Sequence, residues 1–182
     1  MSAAAGIVEK MISEWQIRAI VGRYARGVDR KDGEIIRQCF HAEGLTHYGD
    51  FDGTVETFVP WVLSYVERYS CTMHFMGTTI IDWPNCGDDH ALAETYAAVL
   101  HQIGGDNPGR SWVGGVRYID RFERRPGASG SDPEWRIAER TVVGDWLRID
   151  PTENHRPFPS EMAIGQAGSD DPVFEFLSKL YD

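Results

Sequence analysis

Cationic side chains are scarce in this chain: 18 lysines and arginines stand against 28 aspartates and glutamates, a formal net charge of -10 over 182 residues. Phosphate binding needs a concentrated basic face, and none stands out, so no nucleic-acid partner is expected. Cysteine is scarce too. Cys39, Cys71 and Cys86 are odd in number and show no CxxC spacing, which argues against a disulfide framework or a thiolate zinc site. No apolar run reaches the roughly 18 residues a membrane helix needs, and no membrane partner is expected. The opening MSAAAGIVEKMISEW lacks the basic region and continuous apolar stretch of a secretory signal, so a cytoplasmic location is the expectation. His41 and His47 are six apart across a helix end and a turn, which is no metal spacing. The loops DNPGR and YGDFDG hold too few glycines to cradle a phosphate, and no serine sits in a GxSxG elbow. Neither a metal nor an organic cofactor is expected.

What is present is ordinary apolar content with six tryptophans, ordered by clear periodicity. Ile17, Ile20, Val21, Tyr24 and Val28 recur at helical spacing and predict an amphipathic helix over 14–28, with Ser13 and Gln16 as a capping box. Asp32 is placed to cap a second helix carrying Ile35, Ile36, Cys39 and Phe40. A third helix is predicted over 55–69, with Pro60 either kinking it or delaying its start. After Tyr69 the period changes. Residues 71–82, 91–102, 112–125 and 135–147 read as four long strands between turn-rich segments. Helices followed by turn-linked strands predict an α+β domain with an antiparallel sheet over residues 1–150. Residues 151–182 read as a C-terminal arm with a short helix over 173–180, packed on the domain or on a neighbouring subunit.

The titratable candidates follow from that frame. Alternation places His74 on one strand face with Met76, Thr78 and Ile80. An imidazole among apolar neighbours must find a hydrogen-bond partner: either a backbone carbonyl, as an ordinary core histidine, or a functional carboxylate. Asp29, at the end of the first helix, is the natural partner, because a carboxylate there opposes the helix dipole unless it pairs with a cation. Tyr24 and Tyr48 can border the same cavity and donate to a substrate oxygen. Arg140 alternates with Ala138 and Val142, opposite in parity to Trp135 and Ile137. Its side chain is either paired inside the domain or turned outward; if inward, it supplies fixed positive charge for a developing oxyanion or an anionic leaving group. Trp135 and Ile137 would then lie on the outer sheet surface and favour a dimer or trimer.

The series RYARGVDRKDGEIIRQCF, HYGDFDG, MHFMG, GVRYIDRFERR and WRIAERTVVGDWLRIDP resembles the SnoaL-like branch of the nuclear-transport-factor-2-like superfamily over residues 10–150. That resemblance implies a cone-shaped, curved antiparallel sheet wrapped by the N-terminal helices around one small-molecule pocket. Within the superfamily the chain is most similar to scytalone dehydratase, bile-acid 7α-dehydratase, hexachlorocyclohexane dehydrochlorinase and their kin, which use an Asp–His pair where Asp29 and His74 stand. Tyr24 and Arg140 match further catalytic positions, and Tyr48, Tyr96 and Met76 fall among expected substrate contacts. Ketosteroid isomerases and some polyketide cyclases carry an acidic residue where this chain has His47 and Tyr48, which disfavours their mechanism. The bile-acid enzyme's second aspartate has no match among Glu94, Tyr96 and His101. The implied function is a cofactor-free lyase, dehydratase-like, or an isomerase. Its substrate would be a hydroxylated apolar molecule of steroid, terpenoid or polyketide type. The rival is a binding or assembly module of the same fold, including an oxygenase small subunit.

Overall fold

The apolar stripe of the first helix is buried against a curved sheet in the computed structural model, which describes residues 3–84, 89–103, 110–127, 132–151 and 159–181. Cys86 lies outside the described residues. Helix α1 spans Ala3–Asp29 and so begins about a dozen residues before the strong periodicity does. Ser13 therefore sits inside the helix, buried, and caps nothing. The extra turns carry Ile7, Val8, Met11, Ile12 and Trp15 exposed on the outside, so they lack the buried stripe that marks the later turns. None of the helices among the described residues is long and apolar enough to cross a membrane.

The end of α1 is locked by backbone geometry. Lys31 adopts φ 54°, the left-handed conformation that closes many helices. The Asp32 N–H reaches the Gly27 carbonyl at 2.8 Å and the Lys31 N–H reaches Val28 at 3.1 Å, the paired bonds of a Schellman closure. Gly27 has no room for a side chain: a Cβ there would come within 2.9 Å of Ile36 Cγ1 and 3.1 Å of the Ile36 nitrogen. Asp32 then caps helix α2, Gly33–Gln38, accepting from the Glu34 and Ile35 N–H groups. Cys39 and Phe40, expected on that helix, instead end it and open strand β1, Phe40–His47. A turn leads into β2, Asp52–Thr54, and α3, Val55–Glu67, runs through Pro60 with Val55, Phe58, Val59, Val62 and Val66 buried.

Four long strands follow: β3 Cys71–Asp82, β4 His90–Gln102, β5 Ser111–Arg125 and β6 Glu134–Asp150. They pair antiparallel in sequence order, and the sheet runs β2-β1-β6-β5-β4-β3. One pairing differs from expectation. β1 lies parallel to β6, made possible because α3 and four strands separate them in the chain and supply the crossover.

Two β-bulges overturn the simple alternation read from the sequence. In β3 the register shifts between Met76 and Thr79, so Thr79 turns inward while Thr78 and Ile80, expected beside His74, are exposed. In β6, Phe122 pairs Ile137 while Arg121 pairs Glu139, leaving Ala138 as the inserted residue. A bulge puts both flanking residues of opposite parity on one face. Trp135, Ile137 and Arg140 are therefore all buried, and the expectation that Trp135 and Ile137 form an outer surface is incorrect. The outer face carries a different apolar row. Phe75, Ala98, Gly115 and Trp146 are successive cross-strand partners, with the Trp146 indole lying over Gly115 where a Cβ would meet Nε1 at 2.1 Å.

The C-terminal segment ends in helix α4, Pro172–Tyr181, and is tied to the residue following Asp29. The Gly168 N–H donates to the Arg30 carbonyl at 2.7 Å, and the Arg30 guanidinium pairs with buried Asp171 at 2.9 Å.

Candidate active site

Asp29 is the last residue of α1, and β3 crosses beneath it with Thr72 and His74 on the same face. Three donors from this stretch converge on the carboxylate. His74 Nδ1 donates to Oδ1 at 2.6 Å, the His74 backbone N–H donates to Oδ2 at 3.0 Å, and Thr72 Oγ1 donates to Oδ1 at 3.2 Å. Both side chains are largely buried. Fixing Nδ1 as the donor leaves Nε2 as the nitrogen with a lone pair, and the His74 ring lines a cavity of about 160 Å³. The carboxylate thus sets the imidazole tautomer and orientation and can stabilise an imidazolium, the division of labour found in hydrolase triads.

The cavity is walled by aromatic and aliphatic groups, among them Tyr24, Tyr48, Trp61, Tyr65, Trp112 and Tyr118. The Tyr24 and Tyr48 hydroxyls are 2.5 Å apart. Burial raises the pKa of both phenols, more strongly for Tyr24, whereas the Arg140 charge works to lower that of Tyr48. Two neutral phenols sharing one hydrogen bond retain one hydroxyl proton to offer a ligand.

Arg140 does not line the cavity. It is fully buried one layer down, bidentate to Asp120 at 2.6 and 2.7 Å, its directly opposed neighbour on β5. Its guanidinium stacks on Tyr24 at 4.0 Å and Tyr118 at 4.5 Å. Burial opposes the charge, and Asp120 outweighs burial, so Arg140 is held protonated. Its Nη1 has no hydrogen bond of good geometry, although the guanidinium is close enough to Tyr48 to favour that phenol's ionised form. Arg140 thus acts on the cavity through the phenols, not by direct contact.

Two expected substrate contacts fall elsewhere. Tyr96 is 46% exposed and lines a groove on the outer sheet face, because it alternates with the inward Thr95 and Ala97. Met76 packs partly buried against the core and is not among the cavity-lining residues.

His101 and Asp120 emerge from the structure. His101 alternates with inward Ala97 and Val99, and that parity was the available signal. It lines the cavity at 5.7 Å from His74, ring to ring, between Tyr69 at 4.6 Å and Trp112 at 4.2 Å. Its Nδ1 is buried without a partner. Asp120 shares its face with Tyr118 and Phe122, but its role depends on the β5–β6 register, which no local pattern encodes. No group of three His, Cys, Asp or Glu side chains suited to a metal occurs among the described residues.

Burial, reinforced by the His74 charge, lowers the His101 pKa to about 3. Burial and Arg125 lower that of His41 to about 4, whose Nε2 donates to the Glu123 carbonyl at 3.0 Å. Both rings are neutral in the folded chain and become protonated near pH 6.5 when unfolded. Between about pH 6.5 and 4 the unfolded state therefore binds more protons, so stability falls as pH is lowered through that window. Urea midpoints measured across it should decline, and the decline should be shallower in His41→Gln than in the unaltered chain.

Residues 9–141 match the family model described as a SnoaL-like domain, while no curated protein matches the chain in sequence. Among solved structures, a provisionally assigned scytalone dehydratase from Novosphingobium aromaticivorans superposes with a TM-score of 0.65 at 14% identity, covering 85% of this chain and 97% of its own. Hexachlorocyclohexane dehydrochlorinase LinA-type3 from Novosphingobium barchaimii superposes at 0.66 and 14%, covering 84% and 99%. The Kfla4162 protein from Kribbella flavida does so at 0.64 and 16%, covering 76% and 95%. Those likenesses concern the fold; the family match spans well over half the sequence, and the chain belongs to the SnoaL-like domain family.

Proposed function

We propose that this chain is a cofactor-free lyase, dehydratase-like, or an isomerase, with His74 as general base. One observation carries the reading: an imidazole held through Nδ1 by a carboxylate at 2.6 Å lines an aromatic cavity. A core histidine sealed by a backbone carbonyl would have no such face. His74 Nε2 would take a proton from carbon beside a substrate carbonyl, and Asp29 would stabilise the imidazolium that results. The Tyr24–Tyr48 pair would donate to the carbonyl oxygen as it gains charge. Arg140 beneath the rings favours charge build-up on that side without touching the substrate. From the enolate, loss of a β-hydroxyl gives elimination, and return of the proton to another carbon gives isomerisation. The neighbours' names, a dehydratase and a dehydrochlorinase, agree with proton abstraction followed by loss of a leaving group.

Proton abstraction is measurable without knowing the natural substrate. In D2O, wild-type protein should catalyse exchange of the α-protons of a hydroxylated cyclic ketone, followed by NMR. His74→Ala should slow that exchange by about 10² to 10⁴-fold, and Asp29→Asn by nearly as much. Equal exchange by the folded variants would refute the role of the pair.

A second reading, an assembly or binding module such as an oxygenase small subunit, draws on the outer sheet face. Phe75 is 65% and Trp146 54% exposed there, with Met73 and Leu100 forming the adjacent rung. Contiguous apolar surface of this kind marks an interaction site, and self-association of the enzyme covers it equally well. We favour a homo-oligomer, a dimer or trimer. Sedimentation velocity should show a species larger than 20.5 kDa that Phe75→Glu reduces to monomer. A wild-type monomer at micromolar concentration would instead favour the module.

A further inference from the structure

β3 lies at the edge of the sheet, next to β4. Main-chain N–H groups along the free side of an edge strand need partners from outside the sheet. The Asp29 carboxylate supplies one, accepting the His74 N–H on Oδ2 at 3.0 Å. His74 therefore holds both carboxylate oxygens, Oδ2 through its backbone and Oδ1 through Nδ1 at 2.6 Å. Thr72 adds a second bond to Oδ1 at 3.2 Å, although the carboxylate is already anchored at both ends.

Thr72 is 5% exposed and faces inward opposite His101 on β4. Packing alone would be met by valine, which has the same shape, favours strands and brings no hydroxyl to bury. An ionised carboxylate only accepts, so the Thr72 hydroxyl donates. A donor on a carboxylate stabilises its charged form and lowers its basicity. Thr72 and His74 Nδ1 thus compete for the charge of one oxygen atom.

We infer that Thr72 is a positioning residue for the proton of this pair: by sharing Oδ1 it keeps Asp29 anionic and moderates the pull of the carboxylate on the imidazolium. Without that hydroxyl Asp29 draws the Nδ1 proton more strongly, and His74 stays protonated to higher pH. The consequence for catalysis rests on the reading of His74 as base, since only the deprotonated ring can take a proton.

The ionisable groups around the pair are the same in every variant of Thr72. Burial keeps His101 on β4 neutral, its pKa lowered to about 3. Burial also raises the phenols of Tyr24 on α1, Tyr48 after β1, Tyr65 on α3 and Tyr118 on β5. Burial and the Asp29 charge raise the Cys71 thiol on β3. Arg30 is paired with Asp171, and Asp50 lines the cavity.

An NMR titration of the His74 ring, assigned with His74→Gln, tests the inference without any substrate. In Thr72→Val the His74 pKa should rise by about half a pH unit, roughly a threefold gain in proton affinity. Thr72→Ser, which keeps the hydroxyl, should titrate as the unaltered chain does. Thr72→Cys carries a weaker donor and should fall between the two, and it replaces the valine variant if that one fails to fold. The acid limb of α-proton exchange should move to higher pH in Thr72→Val by the same amount, because a base with a raised pKa is protonated to higher pH. A folded valine or cysteine variant whose His74 pKa is unchanged or lowered overturns the inference. So does a serine variant that titrates like the valine one. If His74 shifts as inferred but the unaltered chain exchanges α-protons no faster than His74→Ala, the role of Thr72 stands and the base reading fails.

Discussion

The carboxylate of Asp29 joins the two layers of the molecule. It ends the helix that covers the sheet, and it gathers three hydrogen bonds from a single stretch of β3. Two of them would suit any structural aspartate at a helix–sheet junction. The third, to an imidazole that lines a cavity, makes the junction a candidate chemical site. This economy constrains everything nearby. The helix must stop at one residue, which the Lys31 closure and the tight packing at Gly27 enforce. The strand must present Thr72 and His74 on one face, which forces Met73 and Phe75 to the outside. The C-terminal segment reinforces the same point by holding Arg30 through its carbonyl and its guanidinium.

Beneath the cavity lies a second layer with the opposite character. Arg140 and Asp120 are both fully buried and oppose each other across β5 and β6. Removing one partner of such a pair leaves an uncompensated charge in the core, a loss of about 3–5 kcal/mol. Its placement gives it a further consequence. Sandwiched against Tyr24 and Tyr118, the guanidinium polarises the phenol layer without itself lining the cavity.

Much of this was legible in the sequence. The helical stripe from Ile17 to Val28 and the four long strands were recovered with bounds close to those observed, because periodicity and turn residues are local signals. The meeting of Asp29 and His74 was expected from their family positions, and Tyr24 and Tyr48 meet as well. What could not be read has a common physical origin. A strand's alternation survives only until a bulge inserts a residue, and nothing around Ala138 or Thr78 announces one. Hence Trp135 and Ile137 were assigned to the wrong face, and Thr78 and Ile80 were placed beside His74. The pattern around Arg140 allowed either an inward or an outward side chain, and its inward position, its depth below the phenols and its bond to Asp120 depend on strand register. Tyr96 was a different kind of error, since its parity with exposed neighbours was available and a family expectation overrode it.

The central claim is that Asp29 fixes His74 with its proton on Nδ1 and its lone pair on Nε2 toward the cavity. Nitrogen-15 NMR of the imidazoles at neutral pH tests this most directly, with His74→Gln used to assign the resonance. The account predicts that the uncharged form of the His74 ring is the Nδ1–H tautomer and that it reverts toward a mixture in Asp29→Asn. A His74 found in the Nε2–H tautomer, or one whose tautomer is indifferent to Asp29, would contradict it.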